Sequence, residues 1–485
     1  MKLSILLEGV EHTLWKIDGD TEISLPVSDS REAVRNSLFI CINGTHRRGT
    51  DYVKEAMRRG AAACVSESEL PSDIPCVLVD NVRRATAFIW NNYYGRPADS
   101  LRLFGVTGTC GKTSTALFLK SILEASGRKT GLIGTLGCFA GDEKIETESS
   151  EVPDIAAAMT TPDPRYLYGA LRRMRDSGCE DAVIEVSSHS VYQHKIDALS
   201  FFGGIFTNLS PEHLDLHGNM EEYFRVKKSF FDKCKLKVYN RDDPYCRRFY
   251  PTVYNFGLSD GENTVISAKK TEYLLNCGEE KIKIETGVTG SFTVYNTMAA
   301  ATCAYAAGIS PSHIKEGIYN VSSIPGRMER AVSPEDFGFG VYIDFAHTPV
   351  ALKEALSGLS EMKPSRLTVL FGCGGDRDRE KRAPMGEIAA EYADRVIVTS
   401  DNCRNEDRNS IIDDILRGVP HRSGIAVIPE RKEAIAYALE SVIEGELILL
   451  AGKGQEEYEI IGDEKIPFSE KKIIAELLQR KYGKS

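Results

Sequence analysis

The sequence predicts a multidomain α/β protein built around parallel β-sheets. The chain has 485 residues, which is enough for about three domains. Short apolar runs typical of buried strands alternate along it with longer stretches of helical periodicity. At residues 101–126 a strand, a glycine-containing turn and a helix follow one another, as in parallel, doubly wound sheets. We therefore predict a central parallel sheet, a small N-terminal α/β domain and a Rossmann-like C-terminal domain.

Each predicted domain has its own set of apolar runs. In residues 1–97 the runs LFICI, AAACV and CVLV alternate with polar helical stretches, and Gly95 and Pro97 mark a linker. In residues 98–331 the predicted strands of a parallel sheet are LRLFGVTG, DAVIEVS and GGIFTNL. In residues 332–485 they are GVYIDFA, LTVLFGC, RVIVTS and ELILLAG, each followed by a helix.

Composition excludes several classes of function. The net charge is −10, which argues against a protein that grips nucleic acid or an anionic membrane over a wide surface. No stretch approaches the roughly 18 apolar residues of a membrane-spanning helix, and the acidic first twenty residues lack an export signal. The twelve cysteines show no paired spacing, so neither a zinc site nor a disulfide framework is predicted. We expect a soluble cytoplasmic protein without nucleic-acid binding or membrane insertion.

The segment GVTGTCGKTS, residues 105–114, has the composition of a phosphate-binding loop. It lies between a predicted strand and a predicted helix, where backbone N–H groups face phosphate oxygens. Lys112 is expected to meet the β- and γ-phosphates, and Thr113 or Ser114 to bind Mg²⁺. The general pattern has a glycine where this chain has Val106, and an ordinary glycine-rich turn is the alternative. The motif makes the central sheet P-loop ATPase-like but specifies no reaction.

Several further motifs resemble the Mur ligase family. They are SDSR at residue 28, MTTPDP, IEVSSHS, TNLSPEHLDLHG and AGKGQEEYE at residue 451, and the loop TGTCGKTS is the family's variant spelling. Together they cover nearly the whole chain in the family's order, which is more specific than any one motif. The resemblance implies an ATP-dependent ligase that forms a peptide bond in peptidoglycan precursor synthesis. It would add meso-2,6-diaminopimelate to the D-Glu γ-carboxylate of UDP-MurNAc-L-Ala-D-Glu through an acyl phosphate.

The resemblance also implies catalytic and nucleotide-binding residues. Lys112, Lys227, Glu185 and His213 would be catalytic, and Thr113, Glu185, His213 and Lys227, the last as a carbamate formed with CO₂, would hold Mg²⁺. ATP would contact Gly108, Thr109, Cys110, Gly111, Lys112, Thr113, Ser114, Asn240, Asn296, Arg327 and Asp344. Without the resemblance, His213 is as readily a structural histidine, since hard cations prefer oxygen, and Lys227 one of two solvated lysines.

The resemblance assigns the nucleotide-linked dipeptide to polar residues of the first two domains. These are Ser28, Ser30, Thr45, His46, Arg47, Thr160, Thr161, Ser187, Gln193 and Lys195. The chain departs from the family where Arg48 replaces an Asp, Met159 an Asn and Lys195 an Arg. Lys195 keeps the charge but loses the bidentate fork of a guanidinium. A helix cap or a solvated face is the alternative for any one of these residues.

The third domain carries residues that the resemblance assigns to the incoming amino acid. They are Arg377, Asp401, Asn402, Cys403, Arg404, Gly452 and Glu456. Family members that add diaminopimelate share an Asp-Asn-Pro-Arg stretch, and members that add L-lysine usually lack the Arg. Here Cys403 replaces the Pro and Arg404 is present. Diaminopimelate is lysine with a second carboxylate, for which a guanidinium is the natural partner.

Four alternatives are open at this point: the same reaction with L-lysine, a folylpolyglutamate synthetase, a catalytically silent nucleotide-binding protein, and a P-loop motor. The SDSR and DNCR stretches weigh against the folate enzyme, and the acidic charge weighs against a motor on nucleic acid. We expect a monomer whose partners are small molecules: ATP, UDP-MurNAc-L-Ala-D-Glu and meso-diaminopimelate.

Overall fold

A computed structural model describes residues 1–44, 47–146, 159–249, 254–267, 270–277, 280–419 and 424–483. The chain divides into two compact units. Unit 1 comprises Met1–Gly108, Ser126–Phe206 and Glu221–Val238, and unit 2 comprises Thr109–Ala125, Thr207–Met220 and Tyr239–Ser485. Each unit therefore collects segments that are distant in the sequence.

Helices and strands alternate along much of the chain. The α-helices are α1 Leu3–Leu6, α2 Val53–Arg58, α3 Val82–Tyr93, α4 Lys112–Ala125, α5 Pro164–Asp176, α6 Ser188–Tyr192, α7 Leu214–His217, α8 Met220–Asp232, α9 Ser291–Ala306, α10 Pro311–Tyr319, α11 Pro334–Phe337, α12 Pro349–Ser360, α13 Arg382–Tyr392, α14 Arg408–Leu416, α15 Arg431–Glu440 and α16 Glu470–Tyr482. The strands are β1 His12–Trp15, β2 Pro26–Val27, β3 Leu38–Ile40, β4 Ala63–Ser66, β5 Cys76–Val79, β6 Arg102–Thr107, β7 Thr130–Gly134, β8 Gly137–Ala140, β9 Glu143–Lys144, β10 Asp181–Glu185, β11 Phe201–Phe206, β12 Cys234–Asn240, β13 Tyr254–Phe256, β14 Gly261–Ile266, β15 Thr271–Cys277, β16 Glu280–Thr286, β17 Glu329–Val332, β18 Gly340–Asp344, β19 Arg366–Phe371, β20 Arg395–Val398, β21 Ile425–Val427, β22 Glu446–Ala451, β23 Tyr458–Ile461 and β24 Glu464–Pro467. None of the described helices is both long and apolar enough to cross a bilayer.

The first sheet of unit 1 has the strand order β1-β5-β4-β3-β2. Strands β2 to β5 run parallel and β1 is antiparallel to β5. The apolar runs predicted near residues 38, 61 and 76 are confirmed as β3, β4 and β5. Helix α3 packs on this sheet with its apolar face, which contributes Val82, Ala85 and Ile89 to the core.

The second sheet of unit 1 contains the neighbours β12-β11-β6-β10-β7-β8-β9. The predicted parallel pairing is confirmed for β6, β10 and β11, and β7 continues the parallel part of the sheet. The edge strands β8 and β9, for which the sequence analysis makes no prediction, are antiparallel. Only Thr135 and Leu136 separate β7 from β8, and two residues close a hairpin but cannot make the crossover that a parallel pair needs. The carboxyl ends of the parallel strands bring Thr107 and Glu185 to one edge.

The main sheet of unit 2 has the order β17-β18-β22-β19-β20-β21, parallel except for β17. Apolar side chains of α12, α13 and α14 cover one face, and those of α15 and α16 cover the other. This is the predicted doubly wound arrangement. One detail of the prediction is wrong: β22 does not lead directly into a helix but into the hairpin β23-β24, which turns at Gly462 with φ +59° before α16 begins.

Unit 2 also contains an antiparallel sheet, β14-β15-β16, that the sequence analysis does not predict. Helix α10 packs against β16 and against α4, and α9 packs against α4. Close packing is possible there because Gly317 has no side chain: a Cβ at that position would lie 2.3 Å from Ile122 Cα. These contacts hold the helix that begins at Lys112.

Candidate functional site

The loop before α4 is held by the segment that follows β11. Thr109 N–H donates to Asn208 O at 3.0 Å, and Cys110 N–H donates to Asn208 Oδ1 at 2.9 Å. Thr207 Oγ1 donates to Cys110 O at 2.7 Å. These bonds fix the path of the loop up to the helix, and Lys112 Nζ donates back to Thr109 O at 2.7 Å. Asn208 is a residue that the sequence analysis missed, although it lies in the quoted motif TNLSPEH.

Gly111 allows a close approach between this loop and α9. Its φ is +82°, and a Cβ added there would lie 2.4 Å from Asn296 Oδ1. Asn296 in turn accepts a hydrogen bond from Thr115 Oγ1 at 3.3 Å. Only glycine suits both the left-handed backbone and the available space. The predicted nucleotide residue Asn296 therefore lies directly against the predicted phosphate loop.

Two other predicted nucleotide residues of unit 2, Arg327 and Asp344, also have defined partners. Arg327 Nη2 donates to Thr113 Oγ1 at 3.5 Å, and its guanidinium lies 4.6 Å from the Phe345 ring centroid. Asp344 accepts backbone N–H groups of Met328 at 2.7 Å and of Ala346 at 2.8 Å. Burial raises the pKa of Asp344 although Arg327 and these hydrogen bonds act to lower it. Arg327 thus connects the start of α4 with the end of β18.

The other predicted residues of this region have local roles in the fold. Asn240 Oδ1 accepts from Asp242 N–H at 3.0 Å and fixes the turn after β12. His213 has φ +56° and precedes α7. Its Nε2 lies 3.8 Å from Glu212 Oε2, and Glu212 Oε1 lies 3.8 Å from His347 Nε2. The Glu212 carboxylate thus lies between two imidazoles, an arrangement that the sequence analysis did not predict.

In unit 1, Glu185 ends β10 with a fully buried carboxylate. Its Oε1 accepts from Thr135 N–H at 2.9 Å and its Oε2 from Thr135 Oγ1 at 3.2 Å. Gly134 makes room for it, since a Cβ there would lie 2.1 Å from Glu185 Oε1. Thr161 Oγ1 donates to Glu185 O at 2.7 Å and accepts from Ser187 N–H at 3.1 Å. The structure therefore brings Glu185, Thr161 and Ser187 together at the carboxyl edge of the sheet.

Lys195 contacts another position at which the chain departs from its family's pattern. Its buried Nζ lies 3.3 Å from Met159 Sδ and 2.6 Å from Asp163 Oδ1. The two substitutions, Met159 and Lys195, are thus neighbours, and Asp163 neutralises the retained charge. Thr160 Oγ1 lies 3.2 Å from Thr135 Oγ1. These residues surround the loop that precedes α5.

The remaining predicted dipeptide residues are less tightly grouped. Ser28 is exposed, whereas Ser30 is buried and its Oγ donates to Glu55 Oε2 at 2.9 Å. Arg47 Nη1 donates to Tyr52 Oη at 2.9 Å, and Gln193 caps the end of α6. The predictions for Thr45 and His46 fall outside the described residues.

Lys227 is buried in α8, so its interpretation as a solvated lysine is wrong. Only 1% of the residue is exposed, and its Nζ donates to Gly108 O at 2.8 Å and lies 4.9 Å from the Tyr223 ring centroid. The next residue, Lys228, is exposed and pairs with Asp232. Tyr223 and Phe230 occupy the same helical face as Lys227 and are buried. The helical period therefore turns Lys227, and not Lys228, towards the phosphate loop.

The residues predicted to hold Mg²⁺ supply only part of a ligand set. Within the described ranges no three or more His, Cys, Asp or Glu side chains form a group that could hold a metal ion. Mg²⁺ that arrives with a nucleotide takes most of its ligands from phosphate and water and needs only one or two protein oxygens. In unit 1 the Glu185 carboxylate has the chemistry of such a ligand, and in unit 2 the Thr113 hydroxyl has it. Each of the twelve cysteines is a free thiol, and most are buried.

The loops after β19 and β20 place the side chains of Arg377 and Arg404 beside Gly374. A Cβ at Gly374 would lie 3.0 Å from Arg404 Nη1 and 3.7 Å from Arg377 Cγ. Arg404 Nη1 donates to Gly375 O at 2.8 Å, and Arg377 Nη1 donates to Asp376 O. In the described part of the chain no carboxylate lies within ion-pair distance of either guanidinium. Burial lowers the pKa of Arg404, and the neighbouring Arg377 lowers it further. The pair has the chemistry of a carboxylate receptor.

Behind this pair a buried lysine organises the other predicted amino-acid residues. Lys453 Nζ donates to Asn402 Oδ1 at 3.1 Å and to Tyr458 O at 2.9 Å, and it lies 3.5 Å from Asp401 Oδ1. Asn402 Nδ2 donates to Glu456 Oε2 at 2.9 Å. Burial would raise the pKa of Asp401, but the cations of Lys453 and Arg431 and the hydrogen bonds to the carboxylate together outweigh it, so the pKa is lowered. Burial raises the pKa of Glu456. Lys453 was missed because a lysine between two glycines gives no sign of burial.

The backbone of this loop is held in place although proline is absent. Cys403 is buried, and Arg404, with φ +51°, donates its N–H to Ile460 O at 3.0 Å. A Cβ at Gly452, where φ is +112°, would lie 2.8 Å from Asp401 Oδ2. The hairpin β23-β24 and the glycine turn after β22 therefore support the path that a proline would otherwise restrict.

Comparison with known proteins identifies the class to which this arrangement belongs. Residues 106–304 match the Mur ligase middle domain, and residues 326–454 match the Mur ligase, glutamate ligase domain. Full-length relatives share more than 30% of their residues with it, so the chain belongs to the Mur ligase family. The resemblance found in the motifs is thereby confirmed.

Several full-length relatives carry the same particular name, UDP-N-acetylmuramoyl-L-alanyl-D-glutamate--2,6-diaminopimelate ligase. The ligase of that name from Caldanaerobacter subterraneus is 39% identical, over 99% of this chain and 99% of its own length. The one from Clostridium perfringens is 34% identical, over 99% of this chain and 100% of its own length. A solved structure of a ligase with this name has a TM-score of 0.69 and 25% identity and covers 99% of both chains. The α/β fold class predicted from the sequence is confirmed.

Proposed function

We propose that the chain is an ATP-dependent ligase that joins meso-2,6-diaminopimelate to the D-Glu γ-carboxylate of UDP-MurNAc-L-Ala-D-Glu. Mur ligases use ATP to form peptide bonds, and the relatives' shared name specifies this acceptor and this amino acid. The observation that carries the choice of amino acid is the pair Arg377 and Arg404, which has no carboxylate partner within the described residues. L-lysine has no second carboxylate to offer this pair.

The reaction proceeds in two steps, phosphorylation of the acceptor carboxylate and then formation of the amide. A γ-carboxylate oxygen of D-Glu attacks the γ-phosphorus of ATP, the bond to the bridging oxygen breaks, and ADP leaves. The amine of diaminopimelate, in its neutral form, then attacks the acyl carbon, the C–O bond breaks, phosphate leaves, and the nitrogen releases one proton as the amide forms. Catalysis of this type consists mainly of positioning and of neutralising charge on the phosphoryl oxygens. Lys112 and the N–H groups at the start of α4 serve that purpose.

Other nucleotide contacts are assigned from their position around the loop. Gly108 to Ser114 form the phosphate loop, and Arg327 donates beside Thr113. Asn296 packs against Gly111. Asp344 carries a carboxylate near Arg327, and Asn240 lies at the end of β12. We assign these residues to ATP.

Mg²⁺ would be held by Thr113, Glu185, His213 and Lys227 as its carbamate, and it supplies positive charge to the phosphates. The burial of Lys227 supports the carbamate, because an amine reacts with CO₂ only when neutral and desolvation disfavours an ammonium. A carbamate would change a cation beside Gly108 into an anion with two oxygen donors.

The acceptor and the amino acid are assigned to separate groups of residues. Ser28, Ser30, Thr45, His46, Arg47, Thr160, Thr161, Ser187, Gln193 and Lys195 are proposed for UDP-MurNAc-L-Ala-D-Glu. Arg377, Asp401, Asn402, Cys403, Arg404, Gly452 and Glu456 are proposed for diaminopimelate, with Glu456 accepting its ammonium. The domains proposed for these tasks are residues 1–97, 98–331 and 332–485, in a cytoplasmic monomer.

To test this function, the purified chain is incubated with ATP, Mg²⁺ and UDP-MurNAc-L-Ala-D-Glu in the presence of equal amounts of meso-diaminopimelate and L-lysine. The products are then identified by mass spectrometry. We expect the diaminopimelate adduct and one ADP per adduct. An excess of the lysine adduct would exclude the proposed amino acid, and ATP hydrolysis without either adduct would exclude the ligase. Lys112→Ala is expected to abolish both ADP release and adduct formation.

A further inference from the structure

The Glu406 carboxylate, in the loop after β20, accepts four hydrogen bonds. Its Oε1 accepts from Asp376 N–H at 2.6 Å and from Arg382 Nη2 at 3.0 Å. Its Oε2 accepts from Arg382 Nη1 at 3.0 Å and from Arg379 Nη2 at 2.7 Å. Arg382 is fully buried and also binds Asp414 and the Gly374 carbonyl. The carboxylate is therefore bound bidentately by a rigid guanidinium.

Glu406 joins the two loops that carry the guanidinium pair. Glu406 accepts the N–H of Asp376, which directly precedes Arg377. Glu406 itself lies two residues after Arg404. Further hydrogen bonds connect the same loops: Gly375 N–H donates to Asn402 O at 2.9 Å, and Asn405 Nδ2 donates to Asp376 Oδ2 at 3.1 Å. The loops touch so closely that a Cβ at Gly375 would lie 1.9 Å from Cys403 O.

We propose that Glu406 is a positioning residue that sets the separation of Arg377 and Arg404, and so makes the site prefer an amino acid with a second carboxylate. This inference rests on the proposed function of the site. Glu406 touches no substrate in this scheme. It acts by holding the loop before Arg377 to the loop that carries Arg404.

Diaminopimelate and L-lysine depend differently on the spacing of Arg377 and Arg404. A carboxylate bound by two guanidiniums gains from both only when their spacing is correct, because charge-assisted hydrogen bonds weaken quickly with distance and angle. Without the Glu406 anion, Arg382 and the Asp376 N–H lose their shared acceptor, and the loop before Arg377 is released. L-lysine makes no use of the pair, so its reaction does not depend on that spacing.

The experiment compares Glu406→Gln with the wild type, using diaminopimelate and L-lysine as separate substrates. Glutamine keeps the shape but removes the charge. The ratio of kcat/KM for diaminopimelate to kcat/KM for L-lysine is expected to fall about tenfold, mainly through KM for diaminopimelate. KM for ATP and for UDP-MurNAc-L-Ala-D-Glu is expected to stay within about twofold of the wild type. A general loss of folded enzyme would lower both activities together and leave the ratio unchanged.

Two further variants, one of a Glu406 partner and one control, test the same positioning role of Glu406. Arg379→Gln removes an exposed partner of Glu406 and leaves the buried Arg382 in place, and we expect a fall in the same ratio of about threefold. Glu433→Gln, on the exposed face of α15, is the matched control and should leave the ratio unchanged. If Glu406→Gln does not fold, Arg379→Gln decides.

The outcomes separate this inference from the function on which it rests. A wild type that prefers diaminopimelate, with soluble variants that keep the same preference, overturns the role of Glu406 alone. A wild type without any preference for diaminopimelate overturns the role of Glu406 and the proposed amino acid together.

Discussion

Replacing Gly111 with alanine is expected to weaken ATP binding in addition to destabilising the fold. The added Cβ would lie 2.4 Å from Asn296 Oδ1, whereas ordinary contact begins at 3.4 Å, so a movement of 3.4 − 2.4 = 1.0 Å is required. That movement weakens the hydrogen bond from Thr115 Oγ1, at a cost of about 1 kcal/mol. The backbone at φ +82° adds about 1–2 kcal/mol for a residue with a Cβ.

These two effects can be separated by a second glycine. Gly127 has φ +84° and nothing within 4 Å of an added Cβ. Gly127→Ala therefore carries the backbone cost without the steric cost. Both variants should melt at a lower temperature than the wild type. Only Gly111→Ala should raise KM for ATP, by at least about tenfold, because a cost of about 1.4 kcal/mol in binding corresponds to that factor.

The assay follows ADP release against ATP concentration at saturating acceptor and amino acid, with thermal melting measured in parallel. The reasoning is refuted if KM for ATP in Gly111→Ala stays within about twofold of the wild-type value. It is also refuted if Gly127→Ala raises KM for ATP equally, since the close approach to Asn296 would then be irrelevant.

Lys453→Met should lower the free energy of unfolding, measured with urea, by about 3 kcal/mol, because the buried Asp401 carboxylate loses its ion-pair partner. An unchanged urea midpoint would contradict the stabilising role of Lys453. Lys227→Ala should reduce ligation by at least about a hundredfold, whereas Lys228→Ala should retain at least about half of it; equal effects in the coupled ADP assay would argue against the carbamate. Hydrogen bonds from Arg382 lower the pKa of Glu406 from 4.5 to about 2, so the stabilisation is complete above pH 4.5 and disappears as the pH falls towards 2. The urea midpoint of the wild type should therefore fall more steeply over that range than that of Glu406→Gln.

The local sequence pattern was sufficient to predict most of the strands and the loops that carry the motifs. The apolar runs at β6, β10, β18 and β22 are buried on both faces, and such runs have a strong one-dimensional signal. The sheet β14-β15-β16 was missed because its strands carry charged side chains between the apolar ones, as in Lys281 and Lys283 of β16. One face of that sheet is polar, which weakens the pattern.

The burial of Lys227 could have been predicted from its surroundings. In α8 the apolar residues Tyr223, Phe230 and Phe231 recur with helical spacing, and Lys227 lies on the face that they define. Its position between Tyr223 and Phe230 was the available signal. That its Nζ meets the Gly108 carbonyl could not be predicted, because 119 residues separate the two in sequence.

The sequence by itself determined the family and the α/β class, and it supplied the candidate phosphate loop and the two candidate arginines, because these depend on short motifs and on the periodicity of single elements. Only the tertiary structure decided which charges meet. Glu406 and Arg382 are 24 residues apart, and Asn402 and Lys453 are 51 residues apart. Hydrogen bonds act over about 3 Å, so such pairs form only when the sheet order brings the ends of β19, β20 and β22 side by side.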